Sequence, residues 1–135
     1  MRRVSDWEKR LKAVIARHQA LPSQYGLSDC YLLPDDAVEA VTGSTMYGAA
    51  ARRYKTPTGA AKQLRRRGFE TVEDAFRAKF TEIAPSLAQR GDIGVVDSNG
   101  EICGGVFTAI GFAVRDERSV LFLPVSNVKT AFRVE

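Results

Sequence analysis

The chain has 135 residues, 44% hydrophobic and 27% charged, proportions that exclude a disordered tail, a fibre and a low-complexity linker. Two cysteines and a single histidine exclude a disulfide framework and a histidine-rich metal site, and no cofactor is called for. The net charge of +4 is uneven: residues 1–67 carry 13 basic and 6 acidic side chains, residues 68–135 carry 7 and 10. The first segment has Trp7, Leu11, Val14 and Ile15 at helical spacing, with Ser5 or Asp6 as cap and an end near His18. It reads as neither a signal peptide nor a membrane span. A turn-rich stretch, Gln19–Asp29, follows. A second helix is expected from Ser28–Cys30 to Val41, stopped by Thr42-Gly43, with Pro34 forcing a short first turn or a kink. Its inner face would be Cys30, Leu33, Ala37, Ala40 and Val41, with Asp35, Asp36 and Glu39 solvated on the other side.

After a loop through Met46–Tyr54, Thr56-Pro57 reads as a cap followed by proline at the first helical position, and Gly68 suits the end of this third helix. Its Arg65–Arg67 triplet complements the helix dipole. Thr71 and Asp74 approximate a capping box for a fourth helix carrying Val72, Ala75, Phe76 and Phe80. Beyond Pro85 the periodicity changes to short β-branched and aromatic runs: 93–97, 101–107, 109–114, 119–123 and 130–134. Asn99-Gly100 marks a hairpin. Helices first and a meander second predict one α+β domain over residues 1–135, with N-terminal helices packed on a C-terminal antiparallel sheet of about five strands.

Most catalytic templates are missing: no glycine-rich phosphate loop, no Cys-x-x-Cys, no His-Glu-x-x-His and no Gly-x-Ser-x-Gly. His18, at the end of the first helix, reads as a surface or capping residue. Cys30, in the first turn of a helix, would gain thiolate character from unpaired amides and the dipole, or else serve as a small buried apolar residue.

Tyr25-Gly26-Leu27-Ser28-Asp29-Cys30 resembles the nucleophile motif of NlpC-type papain-like cysteine peptidases, and Arg90-Gly91-Asp92-Ile93 resembles the Gly-Asp lead-in to the first central strand of their sheet. Asp29–Gly43, Thr56–Ala61 and the terminal Phe132-Arg133-Val134 are similar to a family of small phage tail-associated proteins that look like shortened NlpC domains. The resemblance implies a papain-like fold and a place in a phage tail tip or baseplate, or in its assembly. It also implies a histidine on the strand after the Gly-Asp strand. That position falls on Cys103, in Cys103-Gly104-Gly105-Val106-Phe107, and no histidine follows residue 18. Cys30 is then a vestigial nucleophile and Cys103 stands where the base is expected. Without an imidazole the leaving amine has no acid, so a scaffold without peptidase chemistry is expected.

Three functions follow as expectations. The first is a structural or interaction module of a phage virion, made in the host cytoplasm. It would contact other tail proteins, such as hub or distal-tail components, through its polar charge distribution. A peptide could occupy the residual cleft. The second is an active cell-wall cysteine peptidase or amidase, needing His18 brought beside Cys30 or a partner's histidine. The third, nucleic-acid binding through Arg52, Arg53, Lys55, Lys62 and Arg65–Arg67, lacks interleaved exposed aromatics and any reader motif. No membrane role is expected.

Overall fold

The computed structural model describes residues 2–135. Four α-helices come first: α1 Trp7–Ala20, α2 Leu32–Thr42, α3 Pro57–Arg66 and α4 Val72–Lys79. Six strands follow: β1 Thr81–Ile83, β2 Ile93–Ser98, β3 Glu101–Thr108, β4 Gly111–Arg115, β5 Val120–Leu123 and β6 Thr130–Arg133. They form one open antiparallel sheet in the order β1-β6-β2-β3-β4-β5. The chain is therefore α+β, with the helices preceding the sheet as their periodicity predicts.

The sheet has six strands rather than about five. The extra one, β1, is three residues long, lies at the edge beside β6 and shows no fully buried side chain. Its single apolar side chain, Ile83, packs half-buried on the outer cluster, and three residues are too few for a two-residue period to show.

Local chemistry explains most of the helix ends. Thr56 Oγ1 accepts from Gly59 N at 3.0 Å, with Pro57 in the first turn of α3. Thr71 and Asp74 exchange the two bonds of a capping box on α4, both at 3.3 Å. Gly43 closes α2 in the left-handed region, its N–H bonded to Glu39 O. Helix α1 has no side-chain cap and runs two residues past His18. Helix α2 starts at Leu32, later than Ser28–Cys30, which puts Pro34 in its first turn, where a missing N–H costs no helical bond to a residue within the helix. The Met46–Tyr54 loop contains a 3₁₀ turn, Ala49–Arg52.

The pleat sorts the sheet's two faces. Ile93, Val95, Val106, Ala113 and Phe132 meet Leu33, Ala37 and Val41 of α2, and Val72 and Phe76 of α4, in the main core. Phe76 and Phe132 meet edge to face at 5.9 Å. Val96, Phe107, Phe112, Val114 and Ala131 point the other way and are covered by Val128 of the loop before β6. Helix α1 lies over α2, so α2 sits between α1 and the sheet. That position explains why ten of its eleven residues are buried.

Candidate functional site

The site is organised by the turn before α2. Gly26 has φ +87°, and a Cβ there would lie 2.1 Å from the Tyr54 carbonyl, so only glycine lets this turn rest on the 52–55 segment. Asp29 is buried and uses both carboxylate oxygens. Its Oδ1 accepts from Tyr31 N at 2.9 Å and Leu32 N at 2.8 Å. Its Oδ2 accepts from Gly26 N at 2.9 Å and from the Tyr54 hydroxyl at 2.8 Å. The Asp29 carbonyl takes the first helical bond, from Leu33 N at 3.1 Å. Asp29 thus caps α2 in function, and Cys30 lies in the turn ahead of the helix rather than on its inner face.

The turn carrying Cys30 rests on β3 one residue from Cys103. The Cys30 carbonyl lies 3.0 Å from where a Cβ on Gly104 would be, so the turn rests on the β3 backbone at a glycine. Cys103, paired with Val96 in the β2–β3 ladder, sits one residue earlier. Both cysteines are free and half-buried, and the Cys103 side chain packs against the Val96 and Phe107 cluster. Cys103, then burial, then the charge of Asp29 push the Cys30 thiol up. The Cys103 thiol is lowered, because Cys30 outweighs burial and the charges of Glu101 and Asp97. A thiolate at Cys30 finds neither of the first two helix amides free to favour it. The amides that would have favoured it, Tyr31 N and Leu32 N, are already occupied by the Asp29 carboxylate. Tyr25 is pushed up to about 12, by burial first and by Cys30 and Asp29 next.

His18 is neither a surface residue nor a helix cap. It is 0% exposed, with Nδ1 2.7 Å from Ser28 Oγ and Nε2 2.7 Å from Asp36 Oδ2. Asp36 also pairs with Arg52 Nη1 at 2.6 Å and Arg17 Nη2 at 2.9 Å. Burial would raise the Asp36 pKa, but His18 and Arg52 together drive it far below the usual carboxylate range. Asp35 and Asp36 are 3% and 5% exposed, so neither is solvated, whereas Glu39 is exposed as expected. Asp36 is buried against Arg17 and His18 of α1, and Asp35 against Arg52 and the cavity beside Tyr47. Ser28, His18 and Asp36 contain the residue types of a hydrolase triad. Ser28 is 0% exposed, however, so no substrate can reach its hydroxyl, and the trio joins α1, α2 and the turn.

Two concavities flank the 52–54 segment. An open groove of about 640 Å³ is lined by Tyr25, Gly26, Leu27, Arg53, Tyr54 and Lys55. On the other side, a cavity of about 20 Å³, room for one water, is bounded by Tyr31, Asp35, Tyr47, Arg52, Arg67 and Phe76. Asp35 Oδ1, Tyr47 Oη and Arg67 Nε and Nη1 are buried there without a protein partner. Tyr54, the residue common to groove, cavity and Asp29, escaped sequence reasoning because its partner lies 25 positions away. The alternation Arg53-Tyr54-Lys55 was its only local sign. Among the described residues no group of three or more His, Cys, Asp or Glu could hold a metal ion. Among them, too, no helix is long and apolar enough to cross a membrane.

The chain belongs to the family described as a domain of unknown function, DUF6950, which matches it over residues 2–134. No curated protein and no solved structure matches the chain.

Proposed function

We propose that this DUF6950 chain is a structural and interaction component of a bacteriophage tail tip or baseplate, built on an NlpC-like cysteine-peptidase scaffold that has lost its chemistry. One observation carries the loss of chemistry. The resemblance puts Cys103 where the base is expected, and both ring nitrogens of the chain's one histidine are bonded elsewhere, to Ser28 and Asp36. A cysteine peptidase needs an imidazole to take the thiol proton and deliver it to the leaving amine. Cys103, burial and the Asp29 charge push the Cys30 thiol up, and the sequence holds no second histidine to supply that imidazole.

The tail assignment rests on the sequence resemblance, and the charge distribution is consistent with it. A basic first half and an acidic second half suit docking between unlike neighbours, such as hub and distal-tail proteins. The groove beside Tyr25 and Tyr54 offers such a neighbour's peptide a place to lie. Immunolabelled electron microscopy of the parent particle is expected to put the chain at the tail end, and mature particles without it would overturn the virion role. Incubation with cell-wall peptides is expected to release no new amino groups. Hydrolysis that disappears in Cys30→Ser would overturn the loss of activity.

A further inference from the structure

The chain's positive charge is concentrated in one stretch. No Asp or Glu occurs between Glu39 and Glu70, while seven Arg and Lys do. Arg52 is neutralised by Asp35 and Asp36 at 3.4 and 2.6 Å, and Arg67 lies over the Tyr47 ring at 4.0 Å. The other five, Arg53, Lys55, Lys62, Arg65 and Arg66, are exposed, and among the described residues none has a carboxylate partner. Contacts place them side by side. Gln63 of α3 donates from Nε2 to the Arg53 carbonyl at 3.3 Å, and a Cβ on Gly59 would lie 3.1 Å from Tyr54 Cβ. The Gly59–Gln63 side of α3 therefore runs along the 53–54 segment, with Lys62 and Arg66 one turn apart beside it. Arg53 and Lys55 in turn line the open groove together with Tyr25, Gly26 and Leu27.

The groove itself selects among anionic partners. Leu27, 39% exposed, gives it an aliphatic surface that suits a peptide side chain. Tyr54 is fixed through its hydroxyl on Asp29 and meets Tyr25 and Tyr31 edge to face, at 6.5 and 6.2 Å. Its ring is packed between two others rather than open to stack on a nucleic-acid base. We propose that the groove and the adjoining face of α3 are the docking site for an acidic, extended segment of a neighbouring protein. One apolar or aromatic side chain of that segment lies in the groove against Leu27 and Tyr25, and its carboxylates meet Arg53, Lys55, Lys62 and Arg66. This deepens the interaction role proposed above and rests on it. The ion pairs are at the surface, so they set encounter and register and weaken with salt, while the inserted side chain supplies most of the affinity.

The probe is a fluorescein-labelled synthetic peptide with glutamates on both sides of one phenylalanine, titrated with the full chain and read by anisotropy. Binding is expected to weaken at least tenfold from low to high sodium chloride, and alanine in place of the phenylalanine should cost about tenfold. Leu27→Ser should cost a similar factor with the phenylalanine peptide and nothing with the alanine peptide, which ties that side chain to the groove. Arg53→Glu combined with Lys62→Glu should abolish binding. Lys9→Glu combined with Lys12→Glu, exposed on α1, makes the same change in net charge and should alter binding less than twofold. All these sites are exposed, so unchanged melting temperatures serve as the control for folding. Absence of binding, equal losses in the two charge variants, or indifference to the phenylalanine and to Leu27 each overturn the proposal, as does oligothymidylate binding more tightly than the peptide. The expected titrations with the chain located away from the tail would overturn the tail assignment and keep the docking site; an unbound peptide with the chain at the tail would do the reverse.

Discussion

Neighbouring aspartates on α2 differ in charge behaviour because their partners differ. Asp36 is bonded by His18, Arg52 and Arg17, and its carboxyl is held far below the usual range. Asp35 has Arg52 at 3.4 Å, the Met46 backbone N–H and one unpartnered oxygen, with Asp36 and Glu39 adding negative charge. Burial wins there and raises it from 3.8 to about 6. The two therefore act oppositely on stability. Asp36 adds stability that is present above its unfolded pKa and lost as the solution is acidified below it. Asp35, with its folded value raised, favours the fold below pH 3.8 and withdraws that support between there and about pH 6. At about 1.4 kcal/mol per pKa unit, ionised Asp35 costs the fold about 3 kcal/mol above that window. Asp35→Asn is thus expected to stabilise the protein at pH 7 and to flatten the pH dependence between 4 and 6, measured by urea unfolding across that range. A variant less stable than wild type at pH 7 would show that the carboxylate is needed by Arg52. Tyr47→Phe removes a buried hydroxyl without a partner while keeping the ring that Arg67 covers at 4.0 Å. It is expected to be neutral or stabilising by up to about 1 kcal/mol, because no bond is lost and one unmet desolvation cost goes. A loss above that in thermal melting would mean that the cavity holds a bound water tying Tyr47 to Asp35.

Secondary-structure elements meet at turns, and two glycines there separate backbone strain from crowding. Gly26 and Gly68 both have positive φ, +87° and +90°, but a Cβ at Gly68 meets nothing within 4 Å, while at Gly26 it strikes a backbone carbonyl. Gly68→Ala should cost about 1 kcal/mol, the left-handed penalty alone. Gly26→Ala must also push the Tyr54 segment away and loosen the Asp29 bonds, so about 3 kcal/mol or more is expected, read from chemical denaturation. Equal losses would mean that the turn can move off Tyr54 without harm. This contrast marks how far the elements were legible. Thr56-Pro57, the Thr71–Asp74 box and Asn99-Gly100 are local devices whose donors and acceptors lie within four residues, and each forms as its letters suggest. The start of α2 was placed early because its cap, Asp29, needs Tyr54 to complete its bonding. The edge strand β1 borrows its identity wholly from β6. His18 was misplaced for the same reason: polar letters at a helix end look solvated until another helix supplies buried partners.

At the scale of the molecule, the helical layer and the sheet are joined by a few charged residues that bridge distant segments. Arg115 of β4 donates to the carbonyls of His18 and Leu21 at 2.6 and 3.0 Å, tying the end of α1 to the sheet. The Gly-Asp pair ahead of β2 was legible as a strand lead-in, but not as the place where both chain ends are fastened. Asp92, 2% exposed, accepts from Val134 N at 2.9 Å and Arg3 Nη2 at 2.8 Å on Oδ1, and from Gln89 N at 2.8 Å on Oδ2. Arg3 also donates to the Val134 and Arg90 carbonyls at 3.0 and 2.7 Å, and lies over the Trp7 ring at 4.3 Å. One guanidinium thus holds the N-terminal segment, the approach to β2 and the C-terminal residues together. Arg3→Ala leaves a buried carboxylate facing only backbone N–H groups, the situation in which losing one partner costs about 3–5 kcal/mol. Arg2, adjacent in sequence but exposed, should be replaceable within about 0.5 kcal/mol, typical of a surface site. Both variants lower the net charge by one, so a general electrostatic effect would move them together. Guanidinium unfolding of the pair, with hydrogen exchange at Val134 N as a local probe, separates the cases. Arg3→Ala should lose stability and protection at Val134 while Arg2→Ala loses neither. Matching losses would place the effect in overall charge rather than in the Arg3–Asp92 junction.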